Sequence, residues 1–68
     1  MWNNMIVDNI FRLDHVCIDT LFIIRGIDFD ILACGHWYED SILKYSDRMV
    51  ESYTFCCEKN RIFIDIKY

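Results

Sequence analysis

Alternating apolar and polar positions between residues 16 and 35 predict a β-hairpin that turns at Arg25-Gly26. In this register Phe22 lies opposite Phe29, and one face of the hairpin is almost entirely apolar. A shift of one residue would set Phe22 against Asp28, so the pattern favours the chosen register. The apolar face would carry Val16, Ile18, Thr20, Phe22, Ile24, Ile27, Phe29, Ile31, Ala33 and Gly35.

A second hairpin is predicted over residues 49–57 and 61–68, which also alternate strictly. A four-residue loop at positions 58–61 would place Phe55 opposite Ile64 and Tyr53 opposite Ile66. Asn60 in this loop tolerates the left-handed backbone conformation that such loops often require. Each hairpin therefore has one apolar face and one face that is at least partly polar.

The remaining segments give one ambiguous element and one short helix. Asp40 or Ser41 can cap a helix over about residues 40–48. Residues 4–12 fit two patterns: a strand with Met5, Val7, Phe11 and Leu13 on one face, or a helix with Trp2, Ile6, Ile10 and Leu13 on one face. The predicted fold is α+β or mostly β, with a small antiparallel sheet of four to five strands built from two hairpins and one short helix.

The length and composition limit the size of the core. Sixty-eight residues form a single domain, 1–68, yet 54% of them are hydrophobic. This is more apolar surface than so small a monomer easily hides. We therefore expect a homodimer or a higher oligomer, joined by sheet faces or by edge pairing of the terminal strand.

The apolar runs are too short for a membrane span, which needs roughly 20 residues. The amino terminus lacks the basic and apolar regions of a signal peptide. We therefore expect a cytoplasmic protein whose four cysteines are reduced thiols. For a viral protein, this would be the cytoplasm of the host.

The net charge is −4, and residues 1–47 hold eight acids against three bases. No sizeable basic face is available to neutralise phosphates, so we expect no direct nucleic-acid binding. A protein partner with a basic surface fits this charge better. The alternative is that the acids only keep a hydrophobic small protein soluble.

Acids and aromatics along the first hairpin form the candidate partner-binding surface. The mixed face carries three aspartates, and its second strand leads into two aromatics and two more acids. Trp and Tyr are enriched among the residues that dominate binding at protein interfaces. The candidate partner-binding residues are Asp19, Asp28, Asp30, Trp37, Tyr38, Glu39 and Asp40.

A symmetric pair of sequences, His15-Val16-Cys17 and Cys34-Gly35-His36, suggests a metal site as the alternative. In the chosen register Cys17 faces Cys34 and His15 faces His36, which gathers the ligand types that zinc prefers. The spacing matches neither a zinc knuckle nor a zinc finger, and cysteine is commonly a small buried hydrophobe. Ordinary packing is therefore the favoured interpretation, and no bound metal is expected.

The sequence contains no recognisable catalytic triad, glycine-rich loop or metalloprotease helix, so no catalytic residue and no cofactor are predicted. The favoured function is a small protein-interaction module, such as an inhibitor that covers a basic or nucleic-acid-binding surface. Short chains of extreme composition are common products of phages and mobile elements, which suits this hypothesis. The alternative function is a structural or regulatory zinc protein.

Overall fold

The computed structural model describes residues 5–14 and 16–67. Two short α-helices, α1 and α2, and four strands, β1 to β4, account for its regular structure, together with one 3-10 turn, Ile27–Phe29. In chain order the helices and strands are α1 (Val7–Phe11), β1 (Leu21–Arg25), β2 (Ile31–His36), α2 (Asp40–Leu43), β3 (Val50–Cys56) and β4 (Arg61–Ile66).

The four strands form one sheet in the order β2-β1-β4-β3. Strands β1 and β2 are antiparallel, as are β3 and β4, which confirms the predicted α+β fold built from two hairpins. The hairpins join through a parallel pairing of β1 with β4, which the sequence pattern did not reveal. Because the terminal strand β4 is paired on both sides, the predicted edge pairing of the terminal strand is wrong.

The core lies on one face of the sheet, under the two helices. Alternate residues of β1 and β4 point to this face, so each strand contributes every second side chain. Burial of these side chains supplies most of the folding free energy of so small a domain. The fully or nearly fully buried cluster comprises Val7, Ile10, Phe22, Ile24, Ile42, Ile62, Ile64 and Ile66.

The predicted register of the first hairpin is wrong. Phe22 pairs with Gly35 instead of Phe29, because the chain turns over residues 26–30 and not at Arg25-Gly26. The Gly26 amide donates to the Asp30 carbonyl oxygen at 2.8 Å, and residues 28 and 29 take positive φ angles of 56° and 62°. The partner moves by six positions, an even number, so Phe22 and Ile24 keep their predicted face. Ile31, which lies beside a register irregularity between Ile24 and Arg25, was predicted on the apolar face but is 67% exposed.

The second hairpin has a smaller register error. Phe55 pairs with Ile62 and Tyr53 with Ile64, two residues away from the predicted partners. The turn occupies residues 57–60 instead of 58–61. Asn60 has a φ angle of 53°, so its predicted left-handed conformation is confirmed.

The structure contains helices at both places where the sequence suggested one. Of the two alternatives for residues 4–12, the helix is observed as α1, and Ile6 before it forms a single antiparallel bridge with Met49. Trp2, part of that helical pattern, lies outside the described residues. The helix predicted over residues 40–48 is shorter in the structure. Helix α2 ends at Leu43, and residues 44–47 form turns. No helix of the described residues is long and apolar enough to span a membrane.

Candidate partner-binding site

The structure separates the predicted partner-binding residues into two regions. All seven are exposed. Asp28 and Asp30 lie in the loop between β1 and β2, whereas Asp19 and residues 37–40 lie at the opposite end of that hairpin. Four residue steps along β1 separate the two ends by about 13 Å. The predicted single acidic rim around aromatic anchors is therefore two surfaces.

Asp19 has a structural role at its end of the hairpin. Its carboxylate accepts a hydrogen bond of 3.1 Å from the Asn60 side-chain amide. The side-chain oxygen of Asn60 accepts a hydrogen bond of 2.8 Å from the hydroxyl of Thr20, which is fully buried. This network connects the start of β1 to the turn before β4. It explains the presence of an aspartate at position 19 without any binding to a partner protein.

A groove of about 360 Å³ lies at the end of the sheet that carries the β1–β2 loop. We call it the turn-end groove. Three parts of the chain build it: the loop after β1, the start of β3 and the end of β4. Its lining consists of Gly26, Asp28, Phe29, Glu51, Ser52, Asp65, Ile66 and Lys67.

An ion pair beside this groove holds its parts together. Arg25 at the end of β1 donates two hydrogen bonds, of 2.7 and 3.1 Å, to the Asp65 carboxylate on β4. The guanidinium also lies over two aromatic rings, 4.9 Å from the centre of Phe29 and 5.0 Å from that of Phe63. Ser52 on β3 adds a bond of 3.2 Å to the same carboxylate. The Arg25 contacts therefore position the Phe29 ring beside the groove although that ring is 66% exposed.

The charge of the turn-end groove is negative. Asp65 is neutralised by Arg25, which leaves Asp28, Glu51 and Lys67 as the charged side chains of the lining. Within residues 5–14 and 16–67, neither Asp28 nor Glu51 takes part in an ion pair or a side-chain hydrogen bond. Asp28 and Glu51 outnumber Lys67, so the remaining lining has a net charge of −1, and the exposed ring of Phe29 borders the same groove.

The second region, which we call the aromatic corner, comprises residues 36–39. The rings of His36 and Tyr38 stack with centroids 5.5 Å apart, and Trp37 meets Tyr38 edge-on at 5.8 Å. Trp37 also lies 6.2 Å from the Phe11 ring of α1. A cleft of about 230 Å³ adjoins it, lined by Asp8, Phe11, Arg12, Trp37 and Leu43.

Glu39 holds the aromatic corner together. Its carboxylate accepts bonds from the His36 backbone amide at 2.9 Å and from the imidazole Nδ1 at 2.7 Å. The backbone hydrogen bond is the main reason that the pKa of Glu39 lies below its ordinary value, and the imidazole bond adds to it. A side chain at Gly35 would bring its Cβ to 3.0 Å from Glu39 Oε1, so the carboxylate would have to shift slightly to make room for it.

We expect a pH-dependent stability contribution from Glu39. Its folded-state pKa is below that of the unfolded chain, so the contribution is complete above the ordinary glutamate pKa and is lost as the pH falls through the lowered value. A Glu39→Gln variant should therefore unfold at lower urea concentration than the native protein at pH 7. This difference should shrink under acid conditions. Asp40→Asn is the matched control, and an equal effect of both variants at every pH would contradict the assignment.

The candidate metal cluster is not assembled by the observed hairpin. Cys34 pairs with Ile23, and Cys17 lies outside the strands, in a turn where its amide donates to Thr20 Oγ1. The predicted pairing of Cys17 with Cys34 is wrong, because it depended on the incorrect register. His15 lies outside the described residues. Among the described residues, no three or more His, Cys, Asp and Glu side chains gather into a group that could hold a metal ion.

Sequence reasoning named only one of the eight described residues that line the turn-end groove, Asp28, as a partner-binding residue. Glu51, Asp65 and Lys67 belong to the second hairpin and reach the loop of the first only through the parallel pairing of β1 with β4. No local pattern marks this long-range pairing. The one available signal was the position of Arg25 directly after the apolar residues of β1, because an arginine that becomes partly buried needs an acidic partner.

Comparison of this chain with protein-family models, with curated protein sequences and with solved structures finds no match.

Proposed function

We propose that this protein is a protein-interaction module that binds a basic segment of a partner protein in the turn-end groove. The observation that carries the proposal is the lining of that groove. Asp28 and Glu51, which form no ion pair with any residue that the structure describes, border the groove together with the exposed ring of Phe29. Lys67 is the one cation among the described residues of the lining. A lysine or arginine side chain is the chemical group that such a lining accepts best.

The physical argument for a basic partner combines three terms. The two carboxylates attract a cation, and the face of Phe29 adds an electrostatic attraction of its own. The net charge of −4 extends this attraction beyond the groove and increases the rate of encounter with a basic surface. Asp30 does not line the groove and would act only through this wider field.

The finer proposal is that the module is an inhibitor of phage or mobile-element type that covers a nucleic-acid-binding surface. Such surfaces are basic because they neutralise phosphates. An acidic groove with an aromatic ring would compete with nucleic acid for the same arginines and lysines. Binding and inhibition would then take place in the cytoplasm, where both proteins meet.

Removal of the two groove carboxylates tests the proposal. The probe is a peptide of alternating lysine and serine, titrated into labelled protein and followed by NMR. We expect the amide signals of Gly26, Phe29 and Ser52 to shift most, and the affinity to fall about tenfold in a variant with Asp28→Asn and Glu51→Gln. Asparagine is chosen at position 28 because it tolerates the observed positive φ angle.

A variant with Asp47→Asn and Glu58→Gln is the matched control, since it removes the same charge from exposed positions outside the groove. It should weaken binding only slightly, through the smaller net charge. Equal losses in the two double variants would mean that the acids act as a diffuse charge, which would contradict a specific groove. Signal shifts confined to the aromatic corner would move the binding site there.

We also propose that the protein forms a homo-oligomer, and its exposed apolar side chains support this. Several large side chains of the described residues are more than one third exposed although they are hydrophobic. Surface of this kind is commonly covered in assemblies. These side chains are Ile18, Phe29, Ile31, Leu32, Trp37, Tyr38, Leu43 and Tyr53.

A further inference from the structure

The free edge of strand β2 has backbone amide and carbonyl groups that form no hydrogen bond with any described residue. Leu21 donates its amide to the Asn60 carbonyl oxygen at 3.0 Å, so that amide points toward β4 and away from β2. Leu21 and His36 are therefore a non-hydrogen-bonded pair of the antiparallel ladder. By alternation, Gly35 and Ala33 bond to β1, and the backbone groups of Leu32, Cys34 and His36 point outward.

Glu39 closes one end of this free edge. The outward amide of His36 donates to the Glu39 carboxylate, and the outward carbonyl oxygen of His36 accepts the Glu39 amide at 3.0 Å. No such contact occupies the outward groups of Leu32 and Cys34 among the described residues. The accessible part of the edge is thus short and is defined by these two residues.

We propose that the free edge of β2 binds the same edge of a second copy of this chain, in antiparallel orientation. In this arrangement Leu32 of each copy faces Cys34 of the other, and Ala33 lies on the two-fold axis. Both members of each facing pair have outward amide and carbonyl groups, so four hydrogen bonds form between the copies. The two four-stranded sheets become one sheet of eight strands.

The chemistry of β2 favours a second copy over an unrelated strand. Charged side chains and prolines usually keep the edges of sheets from pairing with one another. Residues 31–35 contain neither. The pairing is self-complementary, and it brings Asp30 of each copy level with His36 of the other, an acid beside a base at each end. The opposite edge, β3, has an irregular register between Val50 and Ser52 and a charged residue there, Glu51, so it is protected.

The proposed contact is independent of the turn-end groove. It is also small compared with the roughly 1,200 Å² or more of a standard protein interface. We therefore expect a dimer that dissociates on dilution. Sedimentation of the native protein should show a mass near that of one 8.3 kDa chain at low concentration and near that of two chains at about 1 mM.

Two variants, each with a lysine on one edge strand of the sheet, test which edge forms the dimer. Leu32→Lys on β2 should leave the protein monomeric at about 1 mM, since each lysine would lie beside Cys34 of the other copy and the two like charges would be diagonal neighbours on one face of the joined sheet. Tyr53→Lys on β3 is the matched control, because Tyr53 is 38% exposed and Leu32 is 36% exposed. It should dimerise like the native protein. A native protein that stays monomeric, or a dimer that only Tyr53→Lys breaks, would overturn the proposal.

A second variant keeps the proposal testable should Leu32→Lys fail to fold. Leu32→Cys places a thiol opposite Cys34 of the other copy, with Cα atoms about 5.5 Å apart, within the range of a disulfide. Mild oxidation should then give a covalent dimer whose peptides join positions 32 and 34 of different chains. Tyr53→Cys should give no such link at its position. Cross-links distributed equally over the native cysteines would contradict the pairing.

Discussion

A Phe22→Ala variant is expected to unfold at a much lower urea concentration than the native protein. Phe22 is completely buried on the core face of β1, and the ring of Phe11 meets it edge-on at 5.2 Å. Truncation of a buried phenylalanine costs about 3–5 kcal/mol, because both the transfer free energy and the contacts around the cavity are lost. A domain of 68 residues is stable by roughly 3–10 kcal/mol, so this loss takes a large share of the total.

Phe29→Ala is the matched control for this experiment. The sequence pattern set Phe29 opposite Phe22 on the apolar face, but the structure leaves its side chain 66% exposed. Its removal should cost about 1 kcal/mol or less, mainly through the lost contact with the Arg25 guanidinium. Urea unfolding followed by tryptophan fluorescence measures both variants. Equal losses would mean that the hairpin has the predicted register and not the observed one.

Alternation along the chain assigned the core face of β1 and β4, but it did not assign the strand partners, and it placed the exposed Phe29 and Ile31 on the apolar face. Phe22, Ile24, Ile62 and Ile64 are buried as their pattern predicts, since a residue's face depends only on its position within its own strand. The partner of each residue depends on where the chain turns. A shift by an even number of residues preserves every face, so the pattern could not exclude the register that is observed.

Turn chemistry explains why the first hairpin took the longer loop. A two-residue turn at Arg25-Gly26 would have required a positive φ angle at Arg25, which a long side chain adopts poorly. In the structure Arg25 remains extended in β1, and the positive φ angles fall at Asp28 and Phe29. An aspartate tolerates this conformation, whereas nothing in the sequence indicates it for a phenylalanine.

The candidate site was predictable only to the extent that it is local. The pattern placed Asp28 on the surface and His36 to Asp40 at the end of a strand. It could not join Asp28 to Glu51 and Asp65, because those residues are more than twenty positions away and meet it through a parallel strand pair. Long-range pairing of this kind depends on the whole sheet, and no single segment encodes it.

Strands β1 and β4 are held in register by the Arg25–Asp65 ion pair, and its loss should have the second largest effect on stability. The two side chains are only 24% and 16% exposed, and they are direct partners in the parallel pairing. Asp65→Asn should cost about 1–3 kcal/mol, less than for a fully buried pair because some solvent still reaches the charges. The expected cause is a guanidinium left without its counter-charge between two aromatic rings.

A double-mutant cycle separates this pair from general packing. Arg25→Met with Asp65→Asn should cost less than the sum of the two single variants, because the second change removes the charge that the first left unpaired. Asp8→Asn is the control: its pair with Arg12 lies on the surface, 39% and 73% exposed, and should contribute about 0.5 kcal/mol or less. If Asp65→Asn were no more damaging than Asp8→Asn, the parallel pairing would be held by apolar contacts alone. The Phe29 side of the turn-end groove would then lack its support.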